Sequence, residues 1–179
     1  MFDTFCPMQS SPVFRTIEAS DLDHVLAINA ANVPEVGDID AGELEFLVDE
    51  SAIALVAEHD HALVGFCVVL APGSTYTSVN YRWFMERYPE SLYLDRVAFD
   101  AAAQSRGWGR AMYDEVARRM QDEFTDMRAL TLEVNIDPPN EPSLRFHAKQ
   151  GFIEVGRQTS HGIEVSLMRR PVSPTPSDD

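Results

Sequence analysis

Between Asp100 and Met112 the chain reads DAAAQSRGWGRAM, and these residue types, at this spacing, suit the binding of an anion. Gly107 and Gly109 have no side chain to hold a phosphate off the backbone, and Arg106 and Arg110 add positive charge beside it. Before the turn, Leu92 to Phe99 is a short run of apolar, aromatic and branched residues, the pattern of a strand. After it, Met112, Val116, Met120 and Phe124 recur every four residues and draw one apolar stripe along a helix. Strand, glycine-bearing turn and helix N-terminus together offer free N–H groups and partial positive charge to a phosphate. The turn is not a P-loop, because Gly109 is followed by Arg110 and Ala111, and it is not G-x-G-x-x-G, because Met112 stands where the third glycine belongs. The plainer alternative is a strand-to-helix turn whose glycines only permit close packing.

The elements that must position this turn can be read in order. Val13 to Glu18 is expected as a strand. A helix follows, capped by Ser20, with Asp21 and Asp23 in its first turn and Leu22, Val25, Leu26 and Ile28 on its apolar face. Asp40 caps a second short helix. Ala52 to Glu58 and Leu63 to Leu70 form a hairpin about His59-Asp60-His61. Pro72 to Pro89 is rich in aromatics, with a short helix over Val79 to Arg87; it reads either as a flap over a substrate or as a packed excursion. Arg128 to Asn135 is a buried strand. Asn140 to Gln150 is a helix with Pro142 in its first turn and Gly151 at its end. Phe152 to Arg157 and Ile163 to Met168 make a last hairpin. Residues 1–12 are expected as a flexible arm, 13–170 as one domain, and 171–179 as a disordered tail. The alternation of strands and helices predicts an α/β fold with a mixed sheet.

Composition narrows the partners. A formal net charge of -15 argues against nucleic acid and favours cationic substrates such as amines, unless it serves solubility alone. No apolar run approaches the roughly 20 residues of a membrane helix. Cys6 and Cys67 are not spaced as a metal site and are read as free thiols in a reducing cytoplasm, with no metal expected.

Gln104, Gly107 and Gly109 fill the Gln/Arg-x-x-Gly-x-Gly/Ala pattern of the GNAT superfamily of acetyl-CoA-dependent N-acetyltransferases, which the chain resembles from Val13 to Arg169. The segment from Asn140 to Phe152, ending in Gly151-Phe152, is similar to the second half of that superfamily's cofactor site. The resemblance implies a mixed sheet flanked by helices and splayed between its fourth and fifth strands, here Leu92–Phe99 and Arg128–Asn135. It implies acetyl-CoA as cosubstrate, with pantetheine in the split and pyrophosphate on the turn. The implied cofactor contacts are Val97, Ala98, Phe99, Gln104, Ser105, Arg106, Gly107, Trp108, Gly109, Arg110, Asn135, Asn140, Ser143 and His147, with a backbone N–H of Val97–Phe99 as oxyanion donor.

His147 stands where the superfamily often carries a tyrosine that protonates the leaving thiolate. Histidine titrates near ~6.5 and can do the same work, with Asn140, Ser143 and His147 along one helix face; alternatively it only hydrogen-bonds the cofactor or a neighbouring carbonyl. Asp95 falls where the histone acetyltransferase branch carries its base, but it can instead be tied to Arg96 or Arg128; Glu133 on the neighbouring strand is the other candidate. Acceptor-side candidates are Asn29, Glu35, Arg82, which suits a carboxylate on the acceptor, and Trp83. The expected activity is direct transfer of acetyl to a primary amine of a small or amino-acid-like acceptor in a ternary complex. The other readings are a non-catalytic acetyl-CoA sensor and a protein N-terminal or lysine acetyltransferase. Homodimers are frequent in the superfamily.

Overall fold

A computed structural model describes residues 11–103 and 106–172. The elements run β1 (Val13–Thr16), a 3-10 turn (Ala19–Asp21), α1 (Leu22–Ala31), α2 (Ala41–Asp49), β2 (Ser51–His59), β3 (Ala62–Leu70), α3 (Val79–Arg87) and β4 (Ser91–Phe99). A second 3-10 turn (Ala101–Ala103), α4 (Trp108–Glu123), β5 (Ala129–Asp137), α5 (Glu141–Lys149), β6 (Ile153–Ser160) and β7 (Ile163–Pro171) complete the order. The strands form a mixed sheet in the order β1-β2-β3-β4-β5-β7-β6, antiparallel except between β4 and β5.

Two cores sandwich the sheet. On one face Met112, Tyr113, Val116 and Met120 of α4 pack on Leu92, Leu94, Leu130 and Leu132, the stripe expected from their spacing. On the other, Val25 and Ile28 of α1, Leu44 and Leu47 of α2, and Tyr81 and Phe84 of α3 cover Val56, Val68 and Tyr93. Local chemistry sets the helix starts. Asp40 Oδ1 accepts from the Glu43 N–H while the Glu43 carboxylate accepts from the Asp40 N–H. Asn140 Oδ1 accepts from the Ser143 N–H at the start of α5. The first helical segment starts differently from expectation: Glu18, not Ser20, sits at the N-cap, paired reciprocally with Asp21. The hairpin at Asp60 and His61 forms as expected, with both residues at positive φ.

The decisive feature is how little of β4 and β5 is paired. Their parallel ladder covers only Ser91–Ala129, Leu92–Leu130 and Tyr93–Thr131. Beyond that the strands part, as the resemblance implied. At the same point β4 carries an extra residue, Asp95, between Leu94 opposite Val69 and Arg96 opposite Val68, a bulge that bends the strand. At the C-terminal end the sheet reaches further than the expected domain boundary. Pro171 still pairs with Ala129, and Val172 is buried with its N–H on the Arg128 carbonyl. The remainder of the expected tail, and the expected arm up to residue 10, lie outside the described residues.

Candidate active site

The parted strands open a cleft of about 640 Å3 that reaches both faces of the sheet. Its wall on the α1–α2 side includes Glu35 and Asp38; α3 and the segment before it contribute Tyr76 and Asn80; β4 and β5 contribute Asp95, Val97, Glu133 and Asn135. On the opposite face Tyr113, Asn140, Ser143 and His147 line its floor. The expected residues Asp95, Val97, Glu133, Asn135, Asn140, Ser143 and His147 are thus brought together by two strands and one helix, β4, β5 and α5.

Glu133 is held by two neutral donors. Asn80 Nδ2 donates to Oε1 at 2.9 Å and the Tyr93 hydroxyl donates to Oε2 at 2.7 Å. Burial, and next the negative charge of Asp95, push its carboxyl up to about 7. Asp95 takes the alternative expected for it: its carboxylate is paired with Arg96 Nε at 2.8 Å, both side chains nearly sealed from solvent. Arg96 Nη1 in turn donates to Asn29 Oδ1 and to the Gly37 carbonyl, at 2.9 and 3.3 Å. This chain of contacts ties the loop after α1 to the bulge of β4.

His147 is buried and engaged at both nitrogens. Nδ1 lies 2.8 Å from the Ser143 carbonyl, which can only accept, so Nδ1 carries the proton. Nε2 then accepts from the Tyr113 hydroxyl at 2.6 Å. Burial lowers the imidazole to about 4, against a smaller opposite effect of the Ser143 carbonyl, so it is neutral at physiological pH. Burial also raises the Tyr113 phenol far above its usual value.

The turn before α4 fits an anion. Gly107, the N-cap, has φ 78° and no side-chain cap, so a residue with a Cβ would be strained there. Arg106 and Arg110 are exposed on either side. At Gly109 a Cβ would meet Phe146 and Phe99, both at ordinary contact distance. Gln104 and Ser105 lie outside the described residues. Trp108, expected at the cofactor, is buried against His59 with ring centroids 4.6 Å apart. Ala98 packs into the core on the far face of β4, while Phe99 lies against Gly65 beneath the turn. Among the described residues, β5 makes no ladder with β4 beyond Tyr93, which leaves the β5-facing backbone of Val97 and the Phe99 N–H available for pairing, while the Phe99 carbonyl accepts from Asn32 Nδ2 at 3.2 Å. These residues suit an extended thioester cofactor with a pyrophosphate.

Three acceptor-side expectations do not lead to the cleft. Asn29 is fully buried as a support for Arg96. Trp83 is turned away onto Gly156 of β6, and Arg82 is exposed outside the cleft lining. Val79 and Asn80 are the residues of α3 that line the cleft, and Arg82, two positions beyond Asn80, points elsewhere on the helix. Glu35 does line the cleft. Tyr113, Asn80 and Tyr93 were missed. Tyr93 and Tyr113 sit inside stretches read as a strand and a helix, and Asn80 in one read either as a flap or as a packed excursion; only the partner across the fold reveals each polar end.

Among the described residues there is no metal-binding cluster and no helix long and apolar enough to cross a membrane. No curated protein matches the sequence. Among solved structures the chain is similar to Ard1 from Thermoplasma volcanium, at TM-score 0.73 and 21% identity over 92% of this chain and 99% of that one. It is similar to the ribosomal-protein-S18-alanine N-acetyltransferase from Escherichia coli, at TM-score 0.70 and 16% identity over 94% and 98%. It also resembles NAA60 from Arabidopsis thaliana, solved with a bisubstrate analogue, at TM-score 0.70 and 17% identity over 92% and 100%. The model of the Acetyltransferase (GNAT) family matches residues 22–152, and the chain belongs to that family.

Proposed function

We propose that this protein transfers acetyl from acetyl-CoA to the primary amine of a small cationic acceptor, with Glu133 as the base. The observation that carries the reading is Glu133 itself: a carboxylate at about 7 in the wall of the split is matched to taking a proton near neutral pH. Acetyl-CoA supplies the acyl group in activated form as a thioester. The Gly107–Gly109 turn with Arg106 and Arg110 would hold its phosphates, and the β5-facing backbone of Val97 with the Phe99 N–H would pair with its amides and donate to the developing oxyanion. Glu133 accepts the acceptor's proton at a carboxylate oxygen while Asn80 and Tyr93 keep it oriented. Asp95, locked to Arg96, raises the proton affinity of Glu133 rather than serving as base.

At the opposite wall the acid role passes from His147 to Tyr113, whose hydroxyl hydrogen would turn from His147 Nε2 to the leaving thiolate, with the phenolate regaining a proton from solvent when the cleft opens. The hydrogen between them belongs to Tyr113 Oη, because the N–H of His147 is turned to Ser143. His147 then positions that hydroxyl. The acceptor end of the cleft carries Glu35, Asp38, Glu43, Asp95 and Glu133 against one arginine, Arg96, already paired with Asp95. That balance favours an acceptor with a second positive charge over one with a carboxylate. The free, buried thiol of Cys67 suits a reducing compartment such as the cytoplasm.

Thermal unfolding with and without acetyl-CoA, followed by thiol release across diamines, amino acids and peptides with free N-termini, tests the reading. A melt shift with thiol release favouring diamines is expected. A shift without release from any acceptor points to a sensor, release only with peptides to a protein acetyltransferase, and no shift removes the cofactor assignment.

A further inference from the structure

A second, smaller crevice of about 230 Å3 lies at the opposite end of the β4–β5 seam, where the strands are still paired through Ser91 and Ala129. It is lined by Arg87, Arg128 and Arg169, with Tyr88 and a single carboxylate, Glu90. Three guanidinium groups against one carboxylate is a strong local excess in a chain with 14 Lys and Arg against 29 Asp and Glu. The three are not consumed by ion pairing with Glu90: among the described residues no side-chain hydrogen bond or salt bridge joins their guanidinium groups to its carboxylate, and Arg128 meets Glu90 only through its backbone N–H on the Glu90 carbonyl. Arg87 lies over the Trp83 ring at 4.5 Å with a long 3.4 Å contact to Glu86. Arg128 Nη1 donates to the Thr125 carbonyl. Arg169 lies over the Tyr88 ring at 5.3 Å, and its Nε–H is buried with no acceptor.

That orphaned donor is the observation that needs a partner. A buried charged donor left without an acceptor is costly, and such groups in native folds usually face an ion or water. A guanidinium presents its N–H groups as a planar fork that matches two oxygens of an oxyanion. The volume suits one phosphoryl group rather than a nucleotide, and the site lies at the far end of the strands from the α4 turn. We propose that this crevice binds a phosphate-type oxyanion, with Arg169 and Arg128 as its principal ligands. The oxyanion is either free inorganic phosphate or the phosphoryl group of a small phosphomonoester. The inference does not rest on the acetyltransferase reading.

Calorimetric titration of the full chain with inorganic phosphate, and separately with glycerol phosphate, at ionic strength matched with chloride, tests it. One saturable site is expected, weakened about tenfold by Arg128→Gln or Arg169→Gln, on the usual scale for a charged hydrogen bond. Tighter binding of the phosphomonoester would identify a metabolite as the ligand; equal or weaker binding would identify inorganic phosphate. The pair Arg106→Gln and Arg110→Gln should leave this binding unchanged while weakening acetyl-CoA. Should Arg169→Gln fail to fold, Arg128→Gln carries the comparison. No saturable binding, binding undiminished in Arg128→Gln, or binding lost in the Arg106 and Arg110 variant would overturn the proposal.

Discussion

At the scale of single residues the site is an arrangement of protons. Glu133 is raised above the ordinary carboxylate range, so it is protonated below about 7 and able to act as base above it. The pH profile of kcat/KM should therefore rise through about 7. Glu133→Gln should lose roughly 10²–10³-fold in turnover and that limb of the profile, on the usual scale for general base catalysis. The same shift has a stability consequence of definite sign. A carboxyl that holds its proton more tightly in the fold than in the unfolded chain stabilises the fold at low pH, and this contribution is lost as pH rises from about 4.5 to about 7. Denaturant melts of the wild type and Glu133→Gln across that window should show the difference. On the opposite wall, Tyr113→Phe and His147→Phe should each cut turnover by about 10²-fold while acetyl-CoA still binds. Imidazole NMR should find His147 neutral down to about 4. Full activity in Tyr113→Phe would return the proton to another donor.

At the scale of elements, the parting of β4 from β5 and the start of α4 create the binding surface. Gly109→Glu places a carboxylate where phosphate is expected, and a Cβ there meets Phe146 at 3.5 Å and Phe99 at 4.0 Å, both ordinary contacts. The variant should fold and fail to bind acetyl-CoA by calorimetry. Gly65 has the opposite character. A Cβ on it would stand 2.3 Å from the Phe99 ring, and Phe99 closes the end of β4 beneath the turn. Gly65→Ala should destabilise by about 1–3 kcal/mol, the usual cost of overpacking, read by urea unfolding.

At the scale of the whole molecule, a net charge of -15 surrounds a cleft lined by five carboxylates. Such a field steers cations and weakens when salt shortens the screening length to about 8 Å at physiological ionic strength. For a dicationic acceptor, kcat/KM should fall as sodium chloride is added, and for a neutral amine it should change much less. Steady-state kinetics with two acceptors of equal size separates the two. The same overall acidity gives the arginine crevice beside Tyr88 its significance, since it runs against the field of the rest.

Local pattern carried much of this protein. The four-residue stripe of α4, the caps at Asp40 and Asn140, the turn at Asp60 and His61, and the glycines at 107 and 109 act within a few residues of themselves, so their physics is written in short windows. The order of these elements was enough to predict a mixed α/β sheet, and the split in it was implied by the resemblance that the Gln104–Gly109 and Asn140–Phe152 motifs carry. Three-dimensional contact decided the roles inside it. Asp95 and Glu133 are equivalent as letters; the bulge delivers Asp95 to Arg96, and the alternation of β5 delivers Glu133 to Asn80 and Tyr93, 53 and 40 residues away. His147 is an acid by type and a neutral acceptor by burial, because Tyr113, 34 residues away, occupies its Nε2. A proton's position depends on desolvation and on partners across the fold, and neither is a property of a local stretch of chain.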